Sequence, residues 1–275
     1  MSDPNFTNNL MRRTEPLLTP AKLKERFLFG VEIIDNEGNE LSEETLQAYI
    51  DMAVSELEHD LDIPIVPTEI CEEKDYFSND YYGWGYFQLN TLPLIQMKEM
   101  NVVYLEDDPS TPASQGEVVL EIPQSWWRVR EHDGIVRLVP NNRFPARLAV
   151  DNAGAFFPEL FRRNGHVPNL WRIKYDAGFK DGCVPMAINA AVGLMASIYA
   201  LNIAGDLVLG AGIASSSLSI DGLSQSINTT SSAENHAYSA KVLQYGNQLF
   251  GPNERTPGIL DKLRRYYQGQ NFNII

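Results

Sequence analysis

The polar and apolar positions of this chain repeat with two different periods, and the period changes at identifiable places. A helical period comes first. Thr19 stands at an N-cap position, Pro20 at the first helical position, and Leu23 and Phe27 lie one turn apart, so residues 20–28 form a short helix that Gly30 can end. Ser42 followed by Glu43 and Glu44 opens a second helix near 42–62. Its apolar positions Leu46, Tyr49, Ile50, Ala53, Val54, Leu57 and Leu61 fall at helical spacing and leave Glu56, Glu58 and Asp60 outward. It stops before Pro64. A third helix near 184–203 starts at Val184-Pro185 and carries Ile188, Ala191, Val192, Met195 and Tyr199 at spacings of three and four. A fourth, near 232–249, carries Ala237, Ala240, Val242, Leu243 and Tyr245, with Asn228, Thr229, Thr230 and Ser231 as candidate caps.

Between the second and third helices the period shortens. IVPTEI, NVVYLE, GEVVLEI, WWRVR, GIVRLVP and LWRIKYDA are strand candidates, with Asp133-Gly134 as a tight-turn signal, so 65–179 reads as a β-rich insertion. Within it DYFSNDYYGWGYFQLN concentrates Tyr76, Phe77, Tyr81, Tyr82, Trp84, Tyr86 and Phe87, a surface for protein contact or self-packing rather than for nucleic acid, since no Lys or Arg interleaves. LSIDGLSQSI alternates on both sides of Asp221-Gly222, which predicts a hairpin at 215–229. Residues 1–18 read as a flexible arm and 251–275 as a C-terminal tail whose segment LDKLRRYYQGQ is basic. The fold class is α+β: a helical core from 19–64 and 180–250, with the β-rich insertion between its halves.

Charge sharpens this picture. The net charge of the 275-residue chain is −14, yet residues 31–80 alone hold sixteen acids against the single base Lys74. The acidity is regional, and tight binding of a polyanion is disfavoured. Such a region is a solvated face, or a surface that repels a polyanion or meets a basic partner. The opposite extreme is Val184 to Gly205, which has no ionisable side chain except Tyr199. A helix there offers water no charged face, so a membrane, the rest of the chain or other copies must cover it. Its length suits a span. Asn189, Ser197, Asn202, the small residues Ala187, Ala190, Gly193, Ala196 and Ala200, and the flanking Asp181 and Asp206 favour protein.

No motif carries catalysis. Gly210-Ala211-Gly212 lacks a third glycine and a βαβ context, His59, His132, His166 and His236 form no metal spacing, and carboxylate pairs such as Glu72-Glu73 and Asp107-Asp108 are ordinary in an acidic protein. The chain reads as a non-enzyme with no cofactor and no metal. Cys71 and Cys183 are too few for a disulfide scaffold, and the first residues hold no signal-peptide core, so reduced thiols and cytoplasmic synthesis are expected.

Three segments together resemble the head-tail connector, or adaptor, proteins of tailed bacteriophages. LTPAKLKERFLFG with LSEETLQAYIDMAVSELEHDLDI resembles that family's opening helices. LWRIKYDAGFKDGCVPMAINAAVGLMASIY is similar to its strand, turn, Val-Pro and long apolar helix, and SIDGLSQSINTTSSAENHAYSAKVLQYGNQL to a segment of phage neck proteins. About half the chain is covered, in order; residues 65–169 are longer than the link in minimal connectors. The resemblance implies a structural virion protein of the neck: a homo-oligomeric ring of twelve copies docked on the portal, meeting tail or further neck proteins, and extending a channel through which DNA passes without tight binding. Glu43, Glu56 and Glu58 are then candidates for the lumen, and Asp221, Gly222, Lys262, Arg264, Arg265, Tyr266 and Tyr267 for contact with the portal or other partners. The alternative is a membrane-associated or small-molecule-binding protein using the apolar 184–205 helix.

Overall fold

A computed structural model describes residues 13–34, 38–77, 86–104, 117–131, 133–138, 166–209, 215–220, 223–228, 238–253 and 255–271, with the backbone alone at 86, 104, 117, 119, 138, 208–209, 215–220, 223–228 and 268–271. Two compact units result, Met1–Asp62 with Asp181–Ile275, and Ile63–Lys180. The described residues form five α-helices and several antiparallel sheets.

The first unit is helical. Helix α1 (Pro20–Arg26) follows Thr19, which is extended but makes no side-chain cap, and ends two residues earlier than its pattern predicts. Helix α2 (Glu43–Leu61) is capped by Ser42, whose side chain accepts from the Thr45 N–H at 3.1 Å. Its end is set by Asp62, which takes a left-handed conformation at φ 55°, and not by Pro64 directly. Helix α3 (Met186–Leu209) is the unit's axis, and α2, α4 (Ser239–Phe250) and α5 (Ile259–Asn271) all pack on it. Small residues allow the approach: Ala191, Ala196, Ala200 and Ala204 are buried, and a Cβ on Gly193 would lie 2.3 Å from the Phe27 ring. By length and composition α3 could cross a membrane, but about two-thirds of its apolar stretch is already buried inside the chain.

An extended strap completes the cover. Strand β1 (Thr14–Glu15) pairs antiparallel with β9 (Val184–Pro185) just before α3. Asn189, buried in α3, accepts the Leu18 N–H at 3.1 Å and donates to the Pro16 carbonyl at 2.9 Å. Arg26 grips Glu15 in a two-pronged pair at 2.8 and 2.9 Å, which holds the Glu15 carboxyl below its ordinary range. Hydrogen bonds that α3 could not otherwise satisfy in its core are thereby met by the chain's own N-terminal segment.

Helix α5 differs from the tail read in the sequence. Leu260, Leu263 and Tyr267 recur every three or four residues and are buried, so a segment that reads as basic is amphipathic. The ribbon of β10 (Ser215–Ile220) and β11 (Leu223–Asn228) is antiparallel in one continuous register, with Ile220 opposite Leu223.

The second unit is a β-structure of two antiparallel sheets. One has the order β2 (Thr68–Phe77), β8 (His166–Ala177), β4 (Leu94–Tyr104), β5 (Glu117–Glu121); the other has β3 (Tyr86–Gln88), β7 (Ile135–Leu138), β6 (Trp127–Arg130). Strand β8 holds the centre because Trp171, Ile173, Tyr175 and Ala177 alternate inward, all at most 1% exposed. Met100, Val102, Leu89, Ile122 and Val136 close the core. Two strands run longer than their apolar runs predict. Strand β2 continues through Glu72, Glu73 and Lys74, and β4 begins at Leu94, because pairing with β8 gives their polar residues partners. Lys98 bridges Glu69 and Asp176, Arg172 meets Glu73, and Lys174 meets Glu99.

Candidate functional site

The chain's acidity becomes a defined surface on α2, which contains six carboxylates and no Lys or Arg. Glu44, Asp51 and Glu58 are spaced seven residues apart, so they form a column along the helix. Glu44 and Asp51 are exposed and Glu58 half-buried, and Gln47 donates to Asp51 at 2.8 Å. Of the sequence candidates, Glu43 is exposed in the first turn. Glu56 accepts a hydrogen bond from the Tyr199 hydroxyl of α3; burial, and then that bond, push the Tyr199 phenol up to about 12. Glu56 and Glu58 are two residues apart and therefore point to opposite flanks of the helix. The three named acids do not share one face. Glu44 and Asp51 were missed, although the seven-residue spacing was legible in the sequence.

Helix α5 separates its candidates in the same way. Lys262 and Arg265 are exposed and three residues apart, so they share an outward face. Arg264 is turned to α2, where it meets Asp60 at 3.2 Å. Tyr267 is 7% exposed and belongs to the core of its own chain, and burial pushes its phenol pKa up. Tyr266 packs edge-on against it at 5.0 Å. The basic segment thus offers two cations to a partner, and its remaining candidates serve the bundle. Asp221 and Gly222 lie outside the described residues, as do Tyr81, Tyr82 and Trp84.

The β-unit holds a buried polar cluster that the sequence did not single out. Glu72, 8% exposed, accepts the Tyr175 hydroxyl and the Asn90 N–H at 2.9 Å, and Lys74 lies 3.0 Å from its other oxygen. Lys74 also donates to Asn90 Oδ1 at 2.5 Å, and the Tyr175 oxygen accepts the Thr91 N–H at 3.1 Å. Burial, then the neighbouring carboxylate, push the Tyr175 phenol pKa up. Each group answers another, and together they tie residues 90–91 to the sheet. At the sheet's end Asp75 accepts the Asn169 N–H at 2.9 Å and meets His166 at 3.0 Å, which in that order hold its carboxyl below the ordinary range. The His166 ring stacks on Phe77 at 4.7 Å.

An open cleft of about 320 Å³ in this unit is lined by Leu94, Gln96, Met97, Gln124, Trp127, Val129 and Glu131. Among the described residues its walls supply no thiol, imidazole or amine. Among the described residues no group of three His, Cys, Asp or Glu is placed to hold a metal ion.

No family model and no curated protein matches the chain. Among solved structures it is similar to a chain of the virion of a native gene transfer agent particle, at 14% identity over 73% of this chain and 81% of that one, with a TM-score of 0.41. It is also similar to a chain of the neck of an empty gene transfer agent particle computed with C6 symmetry, at 16% identity over 67% and 78%, with a TM-score of 0.39. Both likenesses are too loose to fix a fold.

Proposed function

We propose that this chain is a structural protein of the neck of a tailed, phage-like virion, which assembles as a ring on the portal and lengthens the DNA channel toward the tail. One observation carries the reading. The segments that resemble head-tail connectors fold, in their sequence order, as α1, α2, the central strand β8, the Gly178 turn at φ 111°, the Val184–Pro185 strand, the enclosed apolar α3, the β10–β11 ribbon and α4. Supporting it, α3 is covered largely by its own chain and the acids of α2 form a column, the features that a soluble ring around DNA requires.

In this ring of twelve copies the column of Glu44, Asp51 and Glu58 on α2, with Glu43 in its first turn, faces the lumen. Repeated around an axis, such a column sets up a negative field that keeps DNA from adhering. The exposed cations Lys262 and Arg265, together with Asp221-Gly222, face the portal or further neck proteins.

Co-expression with the portal protein of the same genome, followed by mass measurement, tests the reading. A portal complex carrying many copies of this chain is expected. A chain that stays apart from the portal, or that partitions into liposomes, overturns it. In particles, replacing Glu43, Glu44, Asp51 and Glu58 by their amides should slow DNA passage or leave DNA retained, and unchanged ejection would remove the lumen assignment.

A further inference from the structure

We propose that the strap of residues 13–19 is a latch, which opens as one unit while the helical bundle beneath it stays folded, and that Glu15 is its catch. The proposal concerns the single copy and holds whether or not the chain builds a ring.

What fastens the strap is mostly polar. Of its residues only Leu18 is buried; Arg13, Thr14, Pro16 and Thr19 are exposed, and Glu15 and Leu17 are half-buried. The pairing with β9 is two residues long, Thr14 opposite Pro185 and Glu15 opposite Val184, and Pro185 has no N–H to give to it. Two points on α3 supply further bonds. The N–H of Met186, the first residue of α3, donates to the Arg13 carbonyl at 2.9 Å, and Asn189 serves Leu18 and Pro16. The bundle is held differently, by side chains such as Leu23, Leu46, Ile50, Leu57 and Ile188, each at most 1% exposed. A segment that withdraws one apolar side chain from the core opens more readily than the core itself.

Release leaves no polar group dry. Asn189 and the Met186 N–H are costly only when buried without a partner, and with the strap away water answers both. Thr19 supplies the pivot. It is extended, at φ −109° and ψ 160°, its side chain makes no cap, and Pro20 begins α1 directly after it. Rotation about its N–Cα bond swings the strap and leaves in place the Thr19 carbonyl, which accepts the Leu23 N–H at 2.9 Å.

Strap, α1 and α3 meet at Glu15. Its carboxylate takes both prongs of Arg26 from α1 and the Asn189 amide of α3 at 3.3 Å. Lys22 adds a second positive charge from α1, Glu25 stands beside Arg26, Arg13 is the strap's own cation, and neither β9 nor the first turns of α3 carry a titratable group. A charge-assisted, two-pronged bond is about twice as strong as a neutral one. Arg26 is 40% exposed, so salt and acid both reach the pair. The paired carboxyl lies below its ordinary range, so closure is complete above about pH 4 and is lost as pH falls through the lowered value.

Amide hydrogen exchange, followed by nuclear magnetic resonance on the full-length chain, tests the latch. The Leu18 and Met186 amides report it from its two sides, and Val192 and Ala196 report the interior of α3. Leu18 and Met186 should share one opening constant, about a hundredfold or more above that of Val192 and Ala196. Glu15→Gln should raise the opening of Leu18 and Met186 together by about tenfold and leave Val192 and Ala196 as they were. Arg26→Met should do the same, and the two changes combined should add nothing further. In the unaltered chain, added salt should open the latch several-fold. Acid should open it too, after correction for the intrinsic pH dependence of exchange, and Glu15→Gln should remove that response. If Leu18 and Met186 exchange as slowly as Val192 and Ala196, or open with unequal constants, there is no latch. If Glu15→Gln, salt and acid all leave them unchanged, Glu15 is not the catch. Binding to the portal is read separately, so the neck reading and the latch stand or fall apart.

Discussion

Asn189 shows how much one polar residue can decide in an apolar helix. It sits 2% exposed and answers the Leu18 N–H, the Pro16 carbonyl and, at 3.3 Å, Glu15. Asn189→Leu would leave buried backbone groups of the strap unanswered, at about 2–4 kcal/mol of stability in urea titration. The buried tyrosines set an alkaline limit. In the unfolded chain a phenol ionises near pH 10, whereas Tyr199 holds its proton to about 12 and Tyr175 and Tyr267 are also raised. Above pH 10 the unfolded state therefore binds fewer protons, and stability should fall as pH rises through the folded values. Near-ultraviolet absorbance should show these phenols ionising after the exposed ones. Glu15, Asp75 and Asp176 are shifted the other way, by Arg26, by Asn169 and His166, and by Lys98 and Gln96 respectively. Their contribution is present above about pH 4 and should be lost in acid, where the unfolded state takes up more protons.

At the scale of elements, a glycine inside α4 and one just before α5 separate helix propensity from packing. Gly246, inside α4, has nothing within reach of an added Cβ. Gly246→Ala should stabilise by about 0.5–1 kcal/mol through a stiffer unfolded chain. Gly258, just before α5, would place a Cβ 2.2 Å from the Leu249 carbonyl oxygen, which is backbone and cannot yield cheaply. Gly258→Ala should cost about 1–3 kcal/mol by overpacking, measured by thermal unfolding. The elements also show which patterns were readable. Helices α2 and α3 announced themselves because their apolar residues recur over many turns. Strand β2 hid its second half because Glu72, Glu73 and Lys74 look like loop until β8 supplies Ile173, Arg172 and Trp171 opposite them. Helix α5 hid because its cations dominate the eye, while Leu260, Leu263 and Tyr267 make the buried face.

For the whole molecule, a net charge of −14 sets copies of the chain against one another. Added salt screens exposed charges beyond about 8–10 Å near physiological strength and at shorter range above it. Self-association measured by sedimentation should therefore strengthen from low to moderate salt, the reverse of an assembly held by surface ion pairs. The sequence by itself determined the α+β class, four of the five described helices, the ribbon and the regional acidity, because each depends on local period, turn chemistry or composition. The seven-residue spacing of Glu44, Asp51 and Glu58 stood in the sequence, but tertiary structure alone decided that Glu56 turns to Tyr199 of α3 and Asp60 to Arg264 of α5. It also decided that Arg264 and Tyr267 serve the bundle while Lys262 and Arg265 remain open, and that α3, the stretch with no charged face, is largely covered by α2, α4, α5 and the strap of residues 13–19. Period tells which residues turn inward; only packing tells what meets them there.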